Sequence, residues 1–167
     1  MPVVLGMLPT HTFSSQWFDI KTYSNHAFVV AEAINFGMQV YDLLQLDDLS
    51  RESRNYNLGE TAHYGGVGSS HNIVINEDSG FAYLVGSNTC NDGGLHMVDI
   101  SDPKNPSFAG CFRRDGYTHD AQCVNYDGPD TRYTGKEICF CSNESRVTIV
   151  DVTDKASPKV LSRLRYN

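Results

Sequence analysis

The sequence lacks the features of membrane-spanning and nucleic-acid-binding proteins. It has no apolar run near the ~18 residues that a membrane span needs. It has no basic stripe to neutralise phosphates, and its formal net charge is −7. Its first six residues have neither the charged n-region nor the long apolar core of a signal peptide. We therefore expect no membrane span, no nucleic-acid partner and one domain over residues 1–167.

Common catalytic motifs are also absent. There is no Gly-x-Ser-x-Gly elbow, no P-loop and no dinucleotide-binding fingerprint. Ser69 and Ser70 belong to no motif that would make either a nucleophile, and the cysteines form no CxxC zinc knuckle. No motif therefore predicts an enzyme.

Long segments with a helical hydrophobic period are missing as well, and a β-repeat takes their place. Alternating apolar residues that end in hydrophobic-Asp-hydrophobic occur at 37–43, 94–100 and 146–152. The spacing is a little longer than the ~40–50 residues of common propeller blades. Enrichment in Val, Ile, Tyr and Phe, with Gly, Asn, Asp and Ser at the turns, is typical of strands. The sequence predicts an all-β fold of the β-propeller type.

Each recurrence predicts the third strand of a four-stranded blade, with blades at 15–62, 69–113 and 117–166. The predicted strands are 17–23, 26–31, 38–43 and 56–61, then 71–76, 81–86, 95–100 and 107–112, then 119–126, 137–142, 147–152 and 159–165. Asp99 and Asp151 are expected to tie the following turn to the strand end. Strand aromatics, Trp17 and Phe108 included, follow the alternation and are expected in the core between blades.

A further strand at 2–8 matches the fourth strands of blades two and three but has no blade of its own. Propellers usually close with about four to eight blades, and an open three-blade wedge would expose apolar faces. We therefore expect an orphan N-terminal strand and a partial propeller that is completed by other blades. The sequence leaves two sources open, a longer parent chain or a homo-oligomer.

The five cysteines favour disulfides over buried free thiols or a metal site. Cys123 and Cys139 lie in the middle of adjacent predicted strands, so this pair is predicted first. Cys90 and Cys111, in a loop and the fourth strand of blade two, form the second predicted pair. Cys141 would then be free. Such bonds indicate an oxidising compartment.

Polar side chains recur where the first strands begin and in the loops between second and third strands. Both places lie on one face of a propeller, around the central channel. The candidate metal or ligand residues are Asp19, Glu32, His71, Asn72, His119, Asp120 and Glu144. Histidines with carboxylates suit a divalent transition metal, whereas carboxylates and amides alone suit Ca²⁺. The alternative is that these groups bond open backbone groups and line a wet channel.

Several segments together resemble the LVIVD-repeat proteins, and more closely the choice-of-anchor B family of secreted or surface-anchored β-propellers. The matching segments are 17–21, 71–73, 93–100, 115–123, 128–130, 136–139 and 142–144. This resemblance covers nearly the whole chain. It implies an extracellular or cell-surface location and a longer parent protein, but no defined activity. The chain departs from the family in lacking a secretion signal, an anchor and enough blades.

Two functions follow as hypotheses. The first is a secreted or cell-surface binding and scaffold module, with an unknown protein or glycan ligand at the channel face. The second is a metal-dependent hydrolase or lactonase-like propeller with an ion held by Asp19, His71, His119 and Asp120. In addition, Asn143 begins an Asn-x-Ser pattern and is a glycosylation candidate.

Overall fold

A computed structural model describes residues 4–49 and 55–166. The strands are β1 (Gly6–Met7), β2 (Phe18–Tyr23), β3 (His26–Ala31), β4 (Met38–Asp42), β5 (Tyr56–Asn57), β6 (Ala62–Tyr64), β7 (Asn72–Asn76), β8 (Phe81–Val85), β9 (His96–Asp99), β10 (Ser107–Cys111), β11 (Thr118–Asn125), β12 (Glu137–Asn143), β13 (Arg146–Asp151) and β14 (Lys159–Arg165). Two 3-10 helices span Leu43–Leu46 and Thr131–Tyr133, and one helical turn spans Cys90–Gly93. Across the described residues, no helix has the length and apolar character needed to cross a bilayer.

Most strands form three antiparallel sheets of four strands, which are the blades of a partial β-propeller. Blade one is β2-β3-β4-β6, blade two is β7-β8-β9-β10, and blade three is β11-β12-β13-β14. The first strands β2, β7 and β11 approach one another and form the inner edge of the wedge. The predicted all-β, propeller-like fold is therefore confirmed.

The aspartate at the end of each third strand organises the turn that follows it. Backbone N–H groups two residues further on donate to Asp42, Asp99 and Asp151, at 3.1, 2.9 and 3.1 Å. This is the local geometry in which an Asp side chain replaces a backbone acceptor. The structural role predicted for Asp99 and Asp151 agrees with these bonds, and the recurring sequence pattern is a turn signal.

The fourth strand of blade one differs from the prediction. The predicted strand 56–61 is replaced by β6 (Ala62–Tyr64), which pairs with β4, whereas β5 pairs in parallel with β1. Side-chain contacts outside the strand pattern stabilise β6 in this place: Tyr64 forms a hydrogen bond with the buried His96 at 2.8 Å, and His63 forms one with the Phe36 carbonyl at 2.7 Å.

The predicted N-terminal strand 2–8 is shorter in the structure. Only β1 (Gly6–Met7) is a strand there, and it joins β5 rather than a four-stranded blade. Residues 2 and 3 of the predicted strand lie outside the described residues.

Each blade packs its two faces against different neighbours, here called front (toward the next blade along the chain) and rear (toward the previous blade). The front of blade one meets the rear of blade two in one core, and the front of blade two meets the rear of blade three in another. Phe28 and Tyr83 occupy equivalent front positions, and both are fully buried. Strand alternation places these residues, because every second side chain faces the same neighbour.

Both predicted disulfides are present. Cys123 and Cys139 are directly paired across β11 and β12 with a Cα–Cα distance of 4.0 Å, and Cys90 and Cys111 join at 5.5 Å. Cys141 is free and buried. Burial, with a smaller contribution from the Asp115 carboxylate, raises the pKa of the Cys141 thiol to about 12.

A buried carboxylate joins blades two and three at the end of the first strands. Glu137 accepts hydrogen bonds from Asn76 and Ser79, each at 2.7 Å, from Tyr83, and from the Lys155 ammonium at 2.6 Å. Burial alone raises the pKa of Glu137, but these hydrogen bonds outweigh it, so the pKa is lowered overall. The carboxylate is therefore ionised at neutral pH and fully used within the interface.

Replacing Glu137 with Gln should lower the free energy of unfolding by about 3–5 kcal/mol, because Lys155 would be left buried without its partner. The folded-state pKa of Glu137 is lowered, so its contribution is present above the unfolded value and disappears as the pH falls through the folded value. Urea unfolding at neutral pH and at ~pH 3 would show this. Equal destabilisation by Glu77→Gln, an exposed control, would contradict the prediction.

Thiol counting should find one free cysteine, and only after unfolding. The native protein should resist alkylation because Cys141 is buried and its pKa is raised. Denaturation without reductant should expose one thiol per chain, and denaturation with reductant should expose all five cysteines. More than one thiol before reduction would show that a disulfide is missing.

Candidate functional site at the channel face

The first strands of the three blades line an open groove of about 520 Å³, here called the channel groove. Its lining residues are Asp19, Lys21, Thr22, Asn72, Val74, Ile75, Glu77, Asp120, Ala121 and Gln122. Three of the predicted site residues, Asp19, Asn72 and Asp120, therefore lie together on one surface. Each of the three comes from a different blade.

Two of these side chains also hold neighbouring blades together. Asp19 accepts a hydrogen bond from the Ile73 backbone N–H of blade two at 3.1 Å, and it pairs with the Lys21 ammonium at 2.7 Å. Asn72 donates to the His119 carbonyl of blade three at 3.1 Å. Part of the alternative expectation, in which these groups bond open backbone groups, is thus observed.

A cluster of rings lies beside the groove where the first strands begin, and we call it the rim cluster. It consists of Trp17, His71, Tyr117 and His119. The His71 and His119 rings are 4.3 Å apart, and His71 lies 6.4 Å from both Trp17 and Tyr117. Trp17 is 58% exposed, so its predicted place in the core is wrong, and the same prediction is wrong for Phe108, which is 57% exposed. Trp17 directly precedes β2, where no blade of the described residues covers it.

Two carboxylates from the loops between second and third strands flank the rim cluster. Glu32 contacts Nδ1 of His71 at 2.6 Å. Burial and then the negative charges of Glu32 and Glu144 raise the pKa of Tyr117. Glu32, His71 and His119 therefore lie beside one another, with Glu144 near Tyr117, and the site is rich in carboxylates and rings. Sequence reasoning missed Tyr117, although it stands two residues before His119.

Two glycines create the space in which Tyr117 packs. Gly86 has φ +57°, and a Cβ there would lie 2.5 Å from the Tyr117 hydroxyl and 2.7 Å from Cβ of His71. Gly93 has φ +102°, and a Cβ there would lie 2.8 Å from the Tyr117 ring. Only glycine satisfies both the backbone conformation and the close approach at these positions. The rim cluster thus depends on loops of blade two as well as on the first strands.

Asp115 anchors the segment that carries Tyr117 and His119. Its carboxylate accepts from Arg163 at 2.8 Å and lies 3.3 Å from Arg146, and the Asp115 side chain is largely buried. Asn143 donates to the carbonyl groups of Asp115 and Tyr117 from the other side. These bonds fix the backbone leading into β11, so the two rings project from a held loop.

The structure does not present Asn143 for glycosylation in the folded state. Its side chain is 2% exposed, and its amide also contacts the Thr118 hydroxyl at 3.1 Å. Attaching a sugar to this amide would disrupt its hydrogen bonds to the Asp115 carbonyl, the Tyr117 carbonyl and the Thr118 hydroxyl. In the folded protein, the Asn143 side chain holds the loop that carries Tyr117 and His119.

Among the described residues, the rim has no group of three ligand atoms within 4.8 Å of one another. In the described residues, the one group with three ligand atoms within 4.8 Å of one another is Cys90, His96 and Cys111. Its two cysteines are joined in a disulfide. His96 is bonded on both nitrogens, to Tyr64 and Thr89 at 2.8 Å, and burial, aided by Arg113, lowers its pKa to about 4. The predicted residues Asp19, His71 and Asn72 make the hydrogen bonds and ring contacts described above.

One comparison with known proteins gives a match. A family model for the LVIVD repeat matches residues 67–113. Residues 67–113 are therefore similar to an LVIVD repeat. The matched residues include β7 to β10 complete, so one LVIVD repeat corresponds to one whole blade. No curated protein and no solved structure matches the chain.

Replacing Gly86 with Ala should disturb the rim cluster. The added methyl would meet Tyr117 and His71, and we expect it to cost about 1–3 kcal/mol of stability beyond the backbone strain of ~1–2 kcal/mol. Gly116→Ala is the matched control, because Gly116 also has positive φ but has nothing within 4 Å of a Cβ. Histidine NMR resonances and urea unfolding would report the change. Equal effects of the two variants would contradict it.

Proposed function

We propose that this protein is an extracellular or cell-surface binding and scaffold module that recognises its partner through the rim cluster and the channel groove. The main support for this proposal is that side chains of three blades meet on one face, with an exposed tryptophan among them. The LVIVD repeat supports a propeller-like module. The two disulfides support an oxidising compartment.

The chemistry of the face defines which partners fit it. Exposed Trp and Tyr rings supply large contact area with few rotatable bonds, and both residues are enriched at interfaces. Negative charge lies beside the rings, from Glu32 and Glu144. It also lies in the groove, from Glu77 and Asp120. A protein segment with Lys or Arg side chains, or a glycan that stacks on Trp17, matches this surface. The closer resemblance to the choice-of-anchor B family agrees with such a surface role.

The alternative function, a metal-dependent hydrolase or lactonase-like propeller, needs Asp19, His71, His119 and Asp120 to converge on one ion. Asp19 instead accepts from Lys21, Ile20 and Ile73. His71 is paired with Glu32. The binding module therefore accounts for more of the observed contacts, and we prefer it.

The binding proposal can be tested with Trp17→Ala and a matched control. Phe108 is an aromatic residue of equal exposure, 57% against 58% for Trp17, on the outer strand of blade two. Arrays of glycans and of basic and acidic peptides, followed by titration of any ligand found, would give the affinities. We expect Trp17→Ala to weaken binding by roughly tenfold or more and Phe108→Ala to leave it unchanged.

Two outcomes would contradict the proposal. In the first, Trp17→Ala binds every ligand as tightly as the unchanged protein, which would remove the rim cluster from recognition. In the second, Phe108→Ala loses affinity while Trp17→Ala does not, which would move the site to the outer edge of blade two.

A further inference from the structure

The front face of blade three repeats the pattern that is buried in the other two blades. Cross-strand pairs on the fronts are Phe28–Val40 in blade one, Tyr83–Met97 in blade two and Phe140–Ile149 in blade three. The first two pairs are fully buried under the next blade. Phe140 and Ile149 remain partly exposed, and no other blade covers them within the described chain.

A polar contact that joins blades is also incomplete at blade three. Asp19 and Asp120 hold equivalent positions, and one oxygen of each accepts from the next residue's N–H at 2.8 Å. The second oxygen of Asp19 accepts from Ile73 in the following blade. The second oxygen of Asp120 accepts no hydrogen bond from any described residue. Blade three is thus prepared for a following first strand in both its apolar and its polar contacts.

The long loop after β11 borders the front of blade three on one side. Tyr126 and Tyr133 pack edge to face and, with Ile138, Phe140 and Leu161, line a groove of about 330 Å³. The groove lies on the front of blade three. It offers apolar surface to an incoming sheet.

The rear of blade one is the complementary open face. Phe18 and Ile20 project from β2 on this side and are 43% and 58% exposed. The outer part of the same face is covered, because Gln39 donates to the Pro9 carbonyl and to Glu60, each at 3.0 Å. The uncovered part is therefore the inner strand, which is where a preceding blade would meet it.

We propose that the front of blade three binds the rear of blade one of a second copy, so that two copies close a ring of six blades. Two wedges of three blades fall within the range of about four to eight blades. A front-to-rear contact repeats the two interfaces already present within the chain. A front-to-front contact would instead oppose two Asp120 carboxylates and two aromatic faces. The contact leaves the rim cluster free and shares only Asp120 with the lining of the channel groove, so it does not depend on the proposed function.

Solution mass against concentration, by light scattering or sedimentation, tests the ring. The unchanged protein should reach twice the 18.6 kDa mass of one chain and then stop. Phe140→Glu alters the front only and Ile20→Glu the rear only. Each should raise the dimer dissociation constant at least tenfold, and mixing the two variants should restore association, because one unaltered front then meets one unaltered rear. Phe108→Glu, with the same charge on an exposed residue elsewhere, should leave the dimer intact.

Circular dichroism of each variant separates loss of association from loss of folding, and mixing supplies a readout that a misfolded variant could not give. A monomer at all concentrations would overturn the proposal. So would dimers that survive Ile20→Glu but not Phe140→Glu, which would indicate front-to-front pairing. Growth beyond two copies would show that the contact does not close, and binding only to a foreign or added blade would assign the face to another occupant.

Discussion

Burial of one blade's front against the next blade's rear is the interaction on which this structure depends. A four-stranded sheet has two apolar faces, and neither can be covered by its own strands. The following blade covers the front instead: Phe28 and Tyr83 each lie on a front and are fully buried there. Hydrophobic burial of this kind contributes about 25 cal/mol per Å². The polar contacts between blades, at Asp19 and at Glu137, add alignment to that packing.

The candidate site is a consequence of the same packing. Face-to-face blades bring their first strands together, and the residues at the start of those strands then share one surface. His71 of blade two and His119 of blade three are 48 residues apart in the chain, yet their rings are 4.3 Å apart. The side chains of this face therefore divide into two groups. Asp19 and Asn72 serve mainly to join blades, whereas Trp17 and the histidines remain accessible from outside.

Prediction from the sequence succeeded where the signal was local. Strand alternation and the terminal Asp of each third strand identified all but one of the twelve blade strands, because period-two patterns and Asp turns depend on neighbouring residues. The Cys123–Cys139 pair followed from strand adjacency. The prediction failed for the fourth strand of blade one and for the exposure of Trp17, since both depend on contacts with distant residues such as His96 and on which faces remain open.

The sequence by itself determined that the chain forms β-blades, which residues alternate toward the cores, and which polar groups begin the first strands. These properties depend on short-range periodicity and on the residues that form the turns. Only the tertiary structure decided which of those polar groups bind backbone and which face outward. It also decided that Tyr117 joins the rim cluster by packing against Gly86 and Gly93, and that Asn143 is buried. The physical reason is that these outcomes depend on distances between blades, which no local pattern in the sequence encodes.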